Sequence, residues 1–169
     1  MADILQTSIE IPQGVSVSVA GLKVSCKGPK GEVVKTFRTK DAKVSVNGGK
    51  ISLESSDKVL LNTIEAHLKN MCNGAKDGYS HKLKIIYSHF PMTLESKGGI
   101  LMIKNFLGEK QPRKSGIVGA TKIDVKGQEV TVSGPSKEDV GQTIANIKNA
   151  TRIRKRDSRV FQDGMYKIE

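Results

Sequence analysis

Lys43-Val44-Ser45-Val46-Asn47-Gly48 and Lys122-Ile123-Asp124-Val125-Lys126-Gly127 are one hairpin pattern written twice, 79 positions apart. In the same register Ile51-Ser52-Leu53 meets Val130-Thr131-Val132, and Ala66-His67-Leu68-Lys69-Asn70 meets Ala145-Asn146-Ile147-Lys148-Asn149. Apolar falls on apolar through two strands and a helix without a gap. A shared order of elements at one offset marks internal duplication, which decides the architecture before any single element does. The chain reads as α+β: two tandem copies of a small domain, each an antiparallel sheet packed with one helix. Residues 1–84 make the first copy and residues 85–169 the second.

Upstream of the first hairpin, Val15, Val17 and Val19 alternate with serines, the period of a strand with one buried face. Leu22, Val24 and Cys26 resume the alternation after Gly21. Lys27-Gly28-Pro29-Lys30-Gly31 then reads as a turn, with Glu32 to Phe37 as the returning strand. Downstream, Ser55 or Ser56 is placed to cap a helix that runs to about Met71 and ends at Asn73-Gly74. Its apolar stripe is Leu60, Leu61, Ile64, Leu68 and Met71. Tyr79 to Phe90 is a strand between the copies.

The second copy opens with Met92 to Glu95 and Ile100 to Ile103, followed by a polar, basic loop from Asn105 to Gly116. Ser136 stands at the start of its helix with Asp139 three residues on, a capping pattern. Val140, Ile144 and Ile147 face the core. The copies part company after the helix. The second continues into Thr151-Arg152-Ile153-Arg154-Lys155-Arg156-Asp157-Ser158-Arg159 and a Val160 to Tyr166 stretch that the first lacks.

The 169 residues carry a net charge of +11, with 37% apolar and 4% aromatic residues and no Trp. Cores this lean gain from a large partner, and the charge favours a polyanion, most often nucleic acid. The two copies are almost equally basic, +5 and +6, but their arginines are not shared equally. Arg38 is alone in the first copy, whereas Arg113, Arg152, Arg154, Arg156 and Arg159 lie in the second. A guanidinium offers phosphate a planar fork and offers a base a stacking plane, so the main nucleic-acid surface belongs to the second copy.

Arg152, Arg154, Lys155, Arg156 and Arg159 put five cations into eight residues. One or two would complement the preceding helix dipole. Five repel one another unless an anion is near, and phosphate is the expected one. Lys110, Arg113 and Lys114 form a second candidate site in the basic loop. Lys27 and Lys30 bracket the first-copy turn, whose glycines let a backbone approach closely. The scattered aromatics argue against a base-stacking platform, and Phe161 and Tyr166 read as anchors of the tail.

Other chemistry is not encoded. Gly28-Pro29-Lys30-Gly31 lacks the Gly-x4-Gly-Lys-Ser/Thr spacing of a nucleotide-hydrolysing loop. Cys26 and Cys72 have no neighbours at zinc spacing, and without an apolar leader they are expected as reduced thiols in the cytosol. His67 reads as a partly buried structural residue. His81 and His89 have no nucleophile or carboxylate at suggestive spacing. No cofactor, metal, small-molecule substrate or membrane is expected, and the chain is not read as an enzyme.

Several stretches resemble the large-subunit ribosomal protein L-six family in its archaeal and eukaryotic form. They are Gly28-Pro29-Lys30-Gly31, His89-Phe90-Pro91, Asn105-Phe106-Leu107-Gly108-Glu109-Lys110, Val140-Gly141-Gln142-Thr143-Ile144-Ala145-Asn146-Ile147 and Arg156-Asp157-Ser158-Arg159-Val160-Phe161-Gln162-Asp163-Gly164-Met165-Tyr166. The likeness covers essentially the whole chain in order. It implies binding to large-subunit rRNA mainly through the second copy, near the factor-binding region at the stalk base. Other large-subunit proteins would be neighbours on a cytoplasmic ribosome. The alternative reading from charge alone is a free RNA- or DNA-binding regulatory protein.

Overall fold

The computed structural model describes residues 5–168, except 38, 40, 48, 155 and 158. The chain divides into two compact units, Met1–Gly78 with Pro135–Lys137, and Tyr79–Gly134 with Glu138–Glu169.

The first unit contains β1 (Leu5–Glu10), β2 (Ser16–Ala20), β3 (Lys23–Gly28), β4 (Gly31–Thr36), β5 (Ala42–Asn47), β6 (Lys50–Ser55) and α1 (Lys58–Lys76). The strands form two antiparallel three-stranded sheets, ordered β1-β6-β5 and β2-β3-β4. Alternation sets the inner faces: Val24 and Cys26 of β3, and Ile51 and Leu53 of β6, are buried while their neighbours along the strand are more exposed. Against them α1 lays Ile64, Leu68, Met71, Cys72 and Ala75. Full burial of a Leu, Ile or Met side chain stabilises by roughly 1.5–3 kcal/mol, so this stripe holds the helix in place.

Both ends of α1 differ from the sequence reading. The cap is Asp57, one residue beyond the expected serines; its Oδ1 accepts the Val59 N–H at 2.8 Å. Ser55 instead accepts the Asp57 N–H through its hydroxyl at 3.1 Å and so shapes the approach. The helix also continues past Asn73-Gly74 to Lys76. Gly74 and Ala75 are buried there, and the Lys30 N–H caps the Ala75 carbonyl at 3.1 Å. Gly28 is required by this packing, because a side chain at that position would collide with the Ala75 backbone. His67 is partly buried as expected, 3.1 Å from Lys35 Nζ at its Nδ1 and with its ring centroid 6.2 Å from that of Phe37.

The second unit contains β7 (Tyr79–Ile86), β8 (Thr93–Lys97), β9 (Ile100–Lys104), β10 (Arg113–Gly116), β11 (Lys122–Lys126), β12 (Glu129–Gly134), α2 (Lys137–Ala150) and β13 (Gly164–Lys167). Its sheets are β10-β9-β8 and β11-β12-β7-β13. The strand placed by sequence across residues 79–90 ends at Ile86, and all of it pairs within this unit, with β12 on one side and β13 on the other. Leu83, Leu101, Ile103, Val130 and Val132 are fully buried beneath Val140, Ile144 and Ile147 of α2.

The strand orders β1-β6-β5 and β7-β12-β11 are the same, as are β2-β3-β4 and β8-β9-β10. Equivalent buried pairs mark the register: Ile9 faces Ile51, and Leu83 faces Val130. The offset is not uniform, however. It is 74 residues from Ile9 to Leu83 and 79 from Ile51 to Val130. Part of that growth lies between the third and fourth strands. Pro29-Lys30 joins β3 to β4, whereas Asn105 to Pro112 joins β9 to β10. The second copy therefore has two additions, this loop and the segment after α2 that ends in β13.

Candidate nucleic-acid interface

The segment after α2 is held at both of its ends. At its start Thr151 is buried, and its hydroxyl donates to the Ile147 carbonyl at 3.1 Å, closing the helix. At its far end β13 adds to the sheet beside β7, with Gly164 opposite Ile86 and Met165 opposite Ile85. Met165 is only 3% exposed. Asp163, also buried, accepts the Ser88 N–H at 2.7 Å. The expected anchors play a lesser part. Tyr166 is 46% exposed and donates its hydroxyl to the Gln162 carbonyl at 3.1 Å. Phe161 is half-buried. The alternation of β13 explains the difference: Met165 points into the core, so the next residue, Tyr166, points out.

Between these ends the described residues form no helix or strand. Asp157 organises it, accepting the Arg159 N–H on Oδ1 at 2.9 Å and the Phe161 N–H on its carbonyl at 3.0 Å. Arg152, Arg154, Arg156 and Arg159 are all exposed, and among the described residues none forms an ion pair. Lys155 lies outside the described residues. Arg156 places its guanidinium 4.8 Å from the centroid of the Phe161 ring.

The loop between β9 and β10 is built around Phe106, which is 1% exposed. Asn105 and Leu107 take positive φ angles of 59° and 51°. For a leucine this is a strained backbone, held only where the surroundings over-determine it. Here the Asn105 side chain donates to the Pro91 carbonyl at 3.1 Å, and the Glu109 N–H donates to the Phe106 carbonyl at 2.9 Å. Lys110 and Lys114 are exposed.

Arg113 stands apart from the other candidates. It belongs to β10, as Lys114 also does, but its guanidinium lies over Phe106, 4.2 Å from the ring centroid. Its Nε donates to Glu109 at 2.8 Å, and its Nη2 donates to the same carboxylate. Nη1 donates to the Ala150 carbonyl at 2.8 Å and to the Arg152 carbonyl at 3.1 Å. Most of the fork that sequence reasoning offered to phosphate is thus directed at the protein itself. The hydrogen bond and charge of Arg113, with a lesser contribution from Arg156, hold the Glu109 carboxyl below its ordinary pKa.

A groove of about 490 Å³ lies beside this segment. Lys148, Arg152 and Arg156 supply cations to it, Phe161 and Tyr166 supply rings, and Asp163 supplies one carboxylate. Sequence reasoning treated those aromatics as scattered; only the fold brings them to one recess. In the first unit Lys27 and Lys30 are exposed at the β3–β4 turn, while the Lys30 N–H is committed to α1. Cys26 and Cys72 are buried thiols with their sulfurs 4.0 Å apart. Among the described residues there is no group of three or more metal-ligating side chains, and no helix is long and apolar enough to cross a membrane.

The ribosomal protein L6 family model matches residues 11–78 and 93–164. A protein of Methanobrevibacter smithii is 43% identical over 99% of this chain and 97% of its own length. One of Methanosarcina mazei is 45% identical over 96% and 95%, and one of Methanocella arvoryzae is 46% identical over 94% and 93%. Each of the three is named large ribosomal subunit protein uL6.

Proposed function

Since the chain belongs to the ribosomal protein L6 family, a family of structural proteins and not of enzymes, we propose that it is built into the large ribosomal subunit and grips large-subunit rRNA chiefly through its second unit. The exposed Arg152, Arg154, Arg156 and Arg159, with Lys155 in the same run, Lys110 from the loop and Lys114 from β10, neutralise backbone phosphates. Release of the counterions drives association and makes it steeply salt-dependent. Lys27 and Lys30 add a smaller contact from the first unit. Arg113 serves as the brace of this surface.

One observation carries the reading. The loop and the C-terminal segment are additions of the second copy, and Arg113 ties them together. Two basic elements fixed to each other present one pre-ordered surface, which lowers the ordering cost of about 1–2 kcal/mol per backbone residue on binding. We expect it near the factor-binding region at the stalk base, among other large-subunit proteins on the cytoplasmic ribosome, as the family resemblance implies.

The test uses large subunits assembled with full-length chain carrying a tethered cleavage reagent at Lys30, Lys114 or Arg154. The strongest rRNA cleavage is expected from positions 114 and 154. Cleavage from position 30 at equal or greater strength overturns the assignment to the second unit. Failure of the chain to sediment with large subunits in high salt overturns the reading as a whole.

A further inference from the structure

A double-stranded RNA offers a protein its convex backbone, and contacts to it are made by cations standing on a surface. The groove beside the C-terminal segment is a recess, with a volume of about 490 Å³ that lies in the range of small-ligand sites. Its lining is mixed. Lys148 and Arg152 suit a phosphate, but Phe161 and Tyr166 are of no use to one. The Arg156 guanidinium lies over the Phe161 ring with 4.8 Å between its carbon and the ring centroid, so one face of that plane is already backed by an aromatic. Tyr166 is steadied by its hydroxyl bond to the Gln162 carbonyl, and its ring lies where a side chain at Gly164 would meet it. Unpaired nucleotides are recognised by such means, their bases stacked on aromatic rings or guanidinium planes.

We infer that this groove receives a single unstacked nucleotide of rRNA, its base on the Arg156–Phe161 stack beside Tyr166 and its phosphate on Arg152 and Lys148. The inference rests on the rRNA-binding reading above and adds to it a contact that is not purely charge-based. It also assigns separate duties to the arginines. Arg154 and Arg159 lie outside the groove lining and serve the backbone, whereas Arg156 presents a plane. Asp163 brings one negative charge to the lining and is already engaged with the Ser88 N–H.

The experiment titrates the full-length chain with two RNA hairpins of equal length, one fully paired and one carrying a single-nucleotide bulge. The wild type is expected to bind the bulged hairpin about tenfold more tightly, the order of one base–aromatic stack. Phe161→Leu keeps an apolar side chain and Arg156→Lys keeps the charge. Each is expected to abolish the preference; Phe161→Leu leaves binding to the paired hairpin within about twofold, whereas Arg156→Lys, which also gives up the fork toward phosphate, weakens binding to both hairpins. Equal affinity of the wild type for both hairpins overturns the inference, as does a preference that survives both substitutions. If the wild type binds neither hairpin in low salt, the RNA-binding reading itself fails, and this one falls with it.

Discussion

Arg113 donates from Nη1 to the carbonyl of Ala150, at 2.8 Å, and so joins the start of β10 to the last residue of α2. With its second bond to the Arg152 carbonyl, it closes the exit of the helix onto the strand. Helix C-termini leave carbonyls without intrahelical partners. Here a guanidinium from another element supplies the donors, and it fixes the direction in which the basic segment leaves. The candidate interface is thus shaped by a cation whose donors are directed at the protein itself.

Arg113→Ala should uncouple the loop from the segment. Hydrogen bonds from a charged donor contribute about 1.5–3 kcal/mol, and a loss of that order should appear as a lower melting temperature. Amide exchange should quicken in residues 151–161 and 106–109. Arg113→Lys should not restore protection, because a single ammonium lacks the fork that reaches Glu109 and both carbonyls. Unchanged exchange in Arg113→Ala would show that β13 alone orders the segment.

Arg154→Ala combined with Arg159→Ala should behave in the opposite way. Both side chains are exposed, and the double variant should melt within about 0.5 kcal/mol of wild type. Its binding to large-subunit rRNA should weaken, with the salt dependence shallower by about one to two units of log–log slope. Loss of affinity without any change in slope would mean that these arginines do not face phosphates.

Removing the side chain of Met165 should release the segment from its far end. At 3% exposure, Met165→Ala should cost about 2–5 kcal/mol. Tyr166→Ala, at a position 46% exposed, should cost well under half as much. Urea denaturation of both variants decides the order. A larger loss for Tyr166→Ala would restore the aromatic pair as the principal anchor.

Cutting the chain tests where the second unit begins. A fragment of residues 79–169 should melt cooperatively, because β7 lies between β12 and β13 in the sheet. A fragment of residues 85–169 loses most of β7, with Leu83 among the lost core residues, and should not fold. Equal thermal transitions for the two fragments would place the boundary at 84/85.

Acid should loosen the brace. Glu109 titrates below its ordinary value in the folded chain because of Arg113. A depressed carboxylate pKa stabilises the fold above the unfolded value, near 4.5, and that contribution is lost as pH falls through the lower folded value. Amide exchange at residues 151–153, corrected for intrinsic rate, should therefore rise in wild type as pH drops below the ordinary glutamate value of 4.5. Glu109→Gln should abolish this step, and its persistence would assign the pH dependence to another group.

The duplication was legible from the hairpin at Lys43 to Leu53 because strand alternation and helix spacing are local properties. Every apolar position they require is written within a few residues of the next. The identity of α1, the buried face of α2 and the basic character of the final segment could be read in the same way. So could the family, because the Asn105 to Lys110 and Phe161 to Tyr166 stretches are contiguous. β1 and β13 were not foreseen. A short edge strand gains its hydrogen bonds from a partner far along the chain, β6 for one and β7 for the other. The α1 cap was misplaced by one residue because serine and aspartate are equally good at that position, and only the path of β6 chooses between them.

What the sequence determined alone was the inventory: two copies of one α+β unit, their cores, and a surplus of arginine in the second. What the tertiary structure decided was the use of each charge. Arg113 and Arg154 are chemically the same residue and looked like the same kind of phosphate ligand. Folding brings the carbonyls of Ala150 and Arg152 and the carboxylate of Glu109 to Arg113, while among the described residues no carboxylate pairs with Arg154. A guanidinium binds whatever acceptors lie within about 3 Å, and such distances between residues 37 and 39 positions apart are set by packing and not by sequence order.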